Sequence, residues 1–252
     1  MTGLMALLKK EILEQWRTYK LLIVGGIFLF FGITTPLMLK YLPQIIELAG
    51  SSGMEINIPP PTAVESLVEY AGTVGQLGVL IAVLMMMGSI ANELRHGTAV
   101  MTLSKPVSRA AFVNAKFIAS SLTFLVSLIL ASVFCYGYTV WLIGDADIMA
   151  FAGQNLLVGM FLVFCLAITL LFSSLFKNSL AGGGIAFAVL VGQAGLSAIP
   201  RFGDYFPGKL LNWGNVLLTS DSKSYWWALI ITVALIALCL YLAQYFLSKR
   251  DI

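Results

Sequence analysis

The chain has 252 residues, of which 59% are hydrophobic and 11% charged, with a formal net charge of +3. Soluble domains run nearer to about 45–50% apolar and about 25% charged, so a soluble fold of this length could not hide so much apolar side chain beneath so few charges. A cytosolic or secreted enzyme is excluded, and six membrane-crossing helices of about 20 residues each would leave no room for a sizeable soluble catalytic domain.

Residues 3–20 predict an amphipathic helix. At about 100° per residue, Leu4, Met5, Leu8, Ile12, Trp16 and Tyr19 fall within an arc of about 120°. Lys9, Lys10, Glu14, Arg17 and Lys20 take the remaining surface, and Gln15 is the one flaw in the apolar stripe. A basic helix with Trp on its other face is expected to lie in the headgroup plane; a helix packed on the protein in water is the alternative.

Six apolar runs follow: Leu21–Leu39, Ala71–Ala91, Phe117–Ile143, Asn155–Phe176, Ser179–Ile199 and Tyr225–Leu247, none containing Asp, Glu, Lys, Arg or His. Each is long enough as a helix to cross an apolar core of about 30 Å. Periodicity does not separate buried helix from buried strand here, but length does, because in lipid the backbone must satisfy itself. The fourth and fifth runs are separated only by Lys177 and Asn178, which predicts a tight helical hairpin. The first run is too long for a signal-peptide core, and Glu11 and Glu14 sit among the basic residues before it, so a cleaved leader is not expected.

Alternate loops differ sharply in charge. Eleven basic residues (Lys9, Lys10, Arg17, Lys20, Arg95, Lys105, Arg109, Lys116, Lys177, Lys249, Arg250) fall on one side. Four (Lys40, Arg201, Lys209, Lys223) fall on the other, together with eight of the twelve acids. This asymmetry places both termini in the cytoplasm, as six crossings require. The predicted architecture is an all-α polytopic membrane protein: one domain over residues 1–252, with six transmembrane helices behind an interfacial helix.

On the acidic side, residues 40–70 carry Gly50–Gly53 and Pro59–Pro61, with short helices expected before and after, the second starting near Thr62. Glu65 and Glu69 lie one turn apart there and read as a solvated acidic face rather than a paired-carboxylate site. Residues 200–224, rich in Phe, Tyr, Trp, Pro and Gly, are expected at the interface, with a re-entrant turn as one form. On the basic side, residues 92–116 form the most informative loop. Gly97 can end one helix as a C′ residue, Pro106 fixes the turn, and Ser108 can N-cap the next helix. A short helix held there between kinks suits docking to a soluble partner, with a solvated connector as the bland alternative.

Much chemistry is missing from the pattern. No GxxxxGK[ST] phosphate-binding loop occurs, and Gly182-Gly183-Gly184, inside an apolar run, suits close helix packing. His96 is the one histidine, so a histidine-pair zinc site and a Ser–His intramembrane hydrolase are poorly supported. Cys135, Cys165 and Cys239 all lie in apolar runs without CxxC spacing and read as buried packing thiols. Ion-coupled carriers place ionisable groups inside the bundle, whereas these runs hold only Gln76, Asn155, Gln193, Gln244 and scattered Ser and Thr as polar groups. Any transport would then be driven from outside this chain.

Glu93, Gly97-Thr98, Leu103-Ser104-Lys105-Pro106-Val107-Ser108-Arg109 and Lys116 at the head of the third run resemble the ABC-2 type transporter permeases, membrane subunits of ATP-driven exporters. Leu8-Lys9-Lys10-Glu11 with Trp16-Arg17 is similar to that family's interfacial N-terminal helix. The resemblance implies two permease chains forming a path in a bacterial or archaeal plasma membrane, with two separate ATPase subunits beneath. ATP and magnesium would then sit on the ATPase and no cofactor on this chain, which would not be an enzyme by itself; membrane lipid is a further partner, and nucleic acid is not. It also makes residues 92–116 the coupling loop, with Glu93, Arg95 and Lys105 in charged contacts, Ser104–Pro106 holding its shape, and His96, Gly97, Thr98 and Arg109 completing it. The same resemblance puts the first and fifth spans at a dimer seam and the second and fifth along the path, where Gln76, Gly182, Gly183, Gly184, Gly192, Gln193 and Gly195 would matter. Two other functions stand beside it: a secondary carrier or channel acting alone, and a non-transporting scaffold or immunity protein. Neither substrate nor direction is legible, beyond a weak lean of the thin polar midplane toward amphipathic or apolar cargo.

Overall fold

The structure, a computed structural model, describes residues 2–49, 60–98, 108–199, 202–219 and 223–249. The described residues are helical and contain no strand. In chain order they form α1 (Thr2–Arg17), α2 (Lys20–Ala49), α3 (Ala63–Met86), α4 (Ala91–Arg95), α5 (Arg109–Leu142), α6 (Ile148–Leu175), α7 (Ser179–Ser197), a 3₁₀ turn (Gly203–Tyr205), α8 (Lys209–Leu218) and α9 (Trp226–Ser248). Six segments are long and apolar enough to cross a membrane: α2, α3 continued through α4, α5, α6, α7 and α9.

The ends of these helices follow local chemistry. Thr62 and Glu65 form a reciprocal capping box: Glu65 N–H donates to Thr62 Oγ1 at 3.2 Å, and Thr62 N–H donates to the Glu65 carboxylate at 2.9 Å. Glu65 is therefore a capping residue as well as an exposed acid. Ser108 caps α5 through Ala111 N–H, Asp147 caps α6 through Met149 N–H, and Asn178 caps α7 through Leu180 N–H. Gly97 follows the His96 C-cap with φ +72°, the left-handed conformation expected at C′.

The first span is longer than the sequence reading allowed. Helix α2 continues through Pro36 and Pro43 to Ala49 rather than ending at Leu39. Each proline removes one N–H from the ladder, a loss that membrane helices tolerate. Just before Pro36 the Thr34 and Thr35 hydroxyls add bonds to Phe30 O and Phe31 O at 2.8 and 2.7 Å. At the other boundary α1 stops at Arg17, and Tyr19, with φ +57°, breaks the path into α2. The expected interfacial stretch near residues 200–224 includes α8, a ten-residue helix laid on α6, where Gly214 sits against Gln154 and Trp213 meets Trp226 edge-on at 5.1 Å.

Helix α6 is the centre of the bundle. Its most apolar window is 72% buried, against 28% for α2 and α7 and 22% for α9. Large apolar side chains such as Phe30, Leu84, Ile129, Leu156 and Ile230 are exposed around the periphery, which suits a lipid surround and would be costly in water. Helix α2 lies along α5 through its glycines: a Cβ at Gly32 would stand 2.6 Å from Ala131 O, and one at Gly25 would stand 3.5 Å from Ser127 Oγ. Small residues let membrane helices approach this closely.

Gly32→Val is therefore expected to force α2 away from α5 and destabilise the protein by about 1–3 kcal/mol. Gly26→Ala, whose new Cβ meets nothing within 4 Å, should melt at or above the parent temperature. Thermal melting in detergent micelles distinguishes the two.

Candidate functional site at the basic end of the bundle

The roots of α1, α4 and α5 and the end of α9 meet at one end of the bundle, the end carrying most of the basic residues. Helix α4 is pinned where it starts. Helix α3 stops at Met86, and the turn after it leaves backbone groups that the buried Ser173 hydroxyl of α6 satisfies. Ile90 N–H and Ala91 N–H donate to Ser173 Oγ at 3.1 and 3.2 Å, and that hydroxyl donates to Met87 O at 2.9 Å. The first turn of α5 holds the last carbonyls of α9: Arg109 Nη1 donates to Leu247 O and Ser248 O at 2.6 and 2.9 Å. A guanidinium is well placed at a helix C-terminus, where carbonyls lack intrahelical donors. Gln244 of α9 adds a bond to Asn114 Oδ1 at 2.9 Å.

Lys116 is the centre of this site. Its side chain is 3% exposed, and its ammonium lies 2.6 Å from Glu93 Oε1 on α4 and 3.0 Å from Glu11 Oε1 on α1. Lys10 lies over the same carboxylates, 3.2 Å from Glu11, 3.4 Å from Glu14 and 3.9 Å from Glu93. One and two helical turns further along α5, Ser120 and Thr123 receive Gln15: its amide nitrogen donates to Ser120 Oγ at 3.2 Å, and Thr123 Oγ1 donates to its amide oxygen. Burial alone would lower the Lys10 pKa, but Glu11, Glu93 and Glu14 outweigh it and hold it above the ordinary lysine value. A raised folded-state pKa stabilises the fold fully below the ordinary value of 10.5 and is lost only as pH rises past the folded one, so the contribution of Lys10 is present at neutral pH.

This geometry changes the reading of α1. Its buried side is Leu7, Glu11 and Gln15, turned onto α5, while Met5, Ile12 and Trp16 are 70%, 41% and 61% exposed and Leu4 and Leu8 are half-buried between the two sides. Gln15 is not a flaw in an apolar stripe; it belongs to a polar packing face beside that stripe. The helix offers its apolar side outward and its polar side to the bundle. Glu11 and Gln15 are one turn apart, as are Lys116 and Ser120, but the two spacings match only once the fold lays α1 on α5.

The residues expected in the 92–116 loop divide. Glu93 is turned inward onto Lys116. Arg95, His96, Gly97 and Thr98 are exposed beyond it, with His96 Nδ1 2.7 Å from Asn92 O and Thr98 Oγ1 donating to Glu93 O at 3.4 Å. Ser104, Lys105 and Pro106 lie outside the described residues. The expected path and seam residues divide as well. Gly182 and Gly183 serve packing within the chain, since a Cβ would meet Phe172 O at 3.1 Å and the Met87 side chain at 2.8 Å. Gly184, Gly192 and Gly195 face open space, and Gln76 is exposed. Gln193 is buried, its amide nitrogen donating to Ser197 Oγ at 3.0 Å. No cluster of metal-ligating side chains occurs among the described residues.

Beside the ion cluster opens a cavity of about 510 Å³, with apolar walls from α2 and α3, including Ile27 and Leu84, and a polar floor including Glu14, Lys20 and Ser179. Its size falls within the range of small-molecule sites, about 300–1,000 Å³. It therefore has room for an amphipathic group, apolar part against α2 and α3.

Residues 5–252 match the family described as ABC-2 family transporter protein. The chain belongs to the ABC-2 transporter family. Over 244 residues it is 28% identical to the uncharacterized transmembrane protein YxlG of Bacillus subtilis (strain 168), the alignment covering 94% of either chain. As a six-span ABC-2 member it is a multi-pass membrane component of a transporter, and the ion cluster and α4 lie inside the matched region.

Removing one member of a buried charge set leaves the others unpaired, at a cost of about 3–5 kcal/mol. In this ABC-2 chain Lys116→Met should cost about 3 kcal/mol, the low end of that range, because Glu11 and Glu93 keep only the half-exposed Lys10 as a cation. Combining Lys116→Met with Glu11→Gln and Glu93→Gln should restore most of the loss. Unfolding in mixed micelles on titration with a denaturing detergent checks the order of the two variants.

Proposed function

We propose that this chain is the permease subunit of an ATP-driven exporter. Two permease chains, the same or paralogous, would form the path in the plasma membrane, and two separate ATPase subunits would hold ATP and magnesium. The reading is supported by the ABC-2 family match and by the form of α4. Ser173 fixes the root of α4 within the bundle, while Arg95 to Thr98 project from its far end. A short helix rooted in the transmembrane core and exposed at its tip can receive a push from a soluble partner. The sequence carries no phosphate-binding loop with which to generate that push.

Helices α2 and α7 are the candidates for the seam between permeases. Both are largely uncovered in the single chain, as is α9, but the open side of α7 carries Gly184, Gly192 and Gly195, which permit close approach. The buried ion cluster offers little to a gradient-driven carrier: Lys116 is already matched by two carboxylates and lies near the start of α5 rather than at mid-membrane.

Purification of the tagged chain from cells expressing it with its neighbouring reading frames should yield a stoichiometric ATP-hydrolysing subunit. Arg95→Glu combined with His96→Ala should weaken that association by about tenfold, the loss of one well-placed contact, without lowering the melting temperature of the permease. Recovery of the chain with no ATPase, together with gradient-driven solute uptake by the chain alone in liposomes, would overturn the proposal.

A further inference from the structure

The two short helices at the basic end are both interrupted where they join the membrane spans. Helix α1 meets α2 across Thr18 and Tyr19, with Tyr19 in the left-handed region. Helix α4 follows α3 only after the turn at 87–90, where Ser173 holds its first N–H groups. Helix continuity is thus broken before α2 and weakened before α4, where Asn92 N–H still donates to Gly88 O at 3.1 Å. Among the lateral attachments, one ammonium group is shared by both helices: Lys116 binds Glu11 of α1 on one side and Glu93 of α4 on the other. Lys10 spans the same two carboxylates from above. The α1–α5 contact is locked again one turn on by Gln15 with Ser120 and Thr123.

We infer that Lys116 is a positioning residue that ties α1 to α4, so that displacement of α4 is passed to α1 and to the start of α5. The inference rests on the coupling reading above and extends it to a helix far away in sequence, Glu11 standing 82 positions before Glu93. A buried charge pair suits this role better than apolar packing does. Separating a desolvated ammonium from its carboxylates leaves each uncompensated, so neither helix moves away from Lys116 without that cost. Glu93 is thereby a transmitting group on the inner side of α4, while the exposed tip of the helix receives the push. The outward face of α1, with Met5, Ile12 and Trp16, is the surface that moves. ATP turnover below would then alter how this helix sits against the lipid headgroups.

The test is hydrogen–deuterium exchange on the permease with its co-purified ATPase in lipid nanodiscs, with and without ATP and vanadate. Peptides covering residues 4–17 and 91–98 are followed. In the parent both segments should change exchange together. In the Glu11→Gln/Glu93→Gln/Lys116→Met variant, which avoids an unpaired buried charge, residues 91–98 should still respond. The response of residues 4–17 should fall by about tenfold, within the usual range of coupling between two sites. Lys116→Arg, which keeps a cation between the carboxylates, should retain most of it. An equal response of residues 4–17 in parent and triple variant would overturn the inference and leave the coupling reading standing, as would a variant that only raises nucleotide-independent exchange. A parent in which residues 91–98 do not respond to ATP would overturn the coupling reading and this inference with it.

Discussion

In hydrocarbon there is no hydrophobic drive to bring one apolar helix against another, so helices associate through close packing and polar ties. That constraint accounts for where this chain spends its small and polar residues. Gly32 lets α2 lie against the backbone of α5 at Ala131, and Gly182 lets α7 fold back on the end of α6. Ser173, Gln15, Thr123 and Gln244 each join one helix to another. Gln154 does the same at the opposite end, where its amide donates to Asn215 Oδ1 at 2.9 Å and seats α8 on α6. The exposed apolar side chains around the bundle need no partner of this kind, because lipid serves them as well as protein would.

The polar ties are uneven, and their distribution bears on function. The basic end holds one buried ammonium, Lys116, between the carboxylates of Glu11 and Glu93, and this joins three segments far apart in sequence. Buried ion pairs contribute little net stability compared with apolar packing, and their best-attested use is in fixing one arrangement over others. Here the arrangement fixed is that of α1, α4 and α5, the parts of an ABC-2 membrane component that stand nearest its end. The apolar cavity beside them lies between the same helices and α2, so a shift of α1 or α4 would reshape its polar floor.

Much of this fold is written in residue order because the bilayer imposes a length. A run of about twenty apolar residues without charge has one stable form in lipid, and the six spans follow from it. Capping is equally local: Thr62 with Glu65, Ser108 at the head of α5 and Gly97 after α4 each act within a turn of their own position. The continuation of α2 through Pro36 and Pro43 was less legible, since proline ends most helices in water, and its persistence relies on surroundings that leave the backbone no better partner. The face that α1 turns inward was also hidden. Its apolar stripe is a genuine outward surface, and nothing local says that the neighbouring Glu11 and Gln15 will be buried.

Sequence alone determined that this is a six-span membrane protein, where α4 ends and α5 begins, and which loop resembles a coupling element, since each depends on residues close together in the chain and on the thickness of a bilayer. The tertiary structure decided what Lys116 does. Its two carboxylates come from residues 105 and 23 positions away, and a buried cation is defined by whichever groups the fold brings within about 3 Å of it. The division among the glycines was decided in the same way: Gly182 and Gly183 meet neighbours of the same chain while Gly184 does not, a difference set by the direction in which one helix leans on the next.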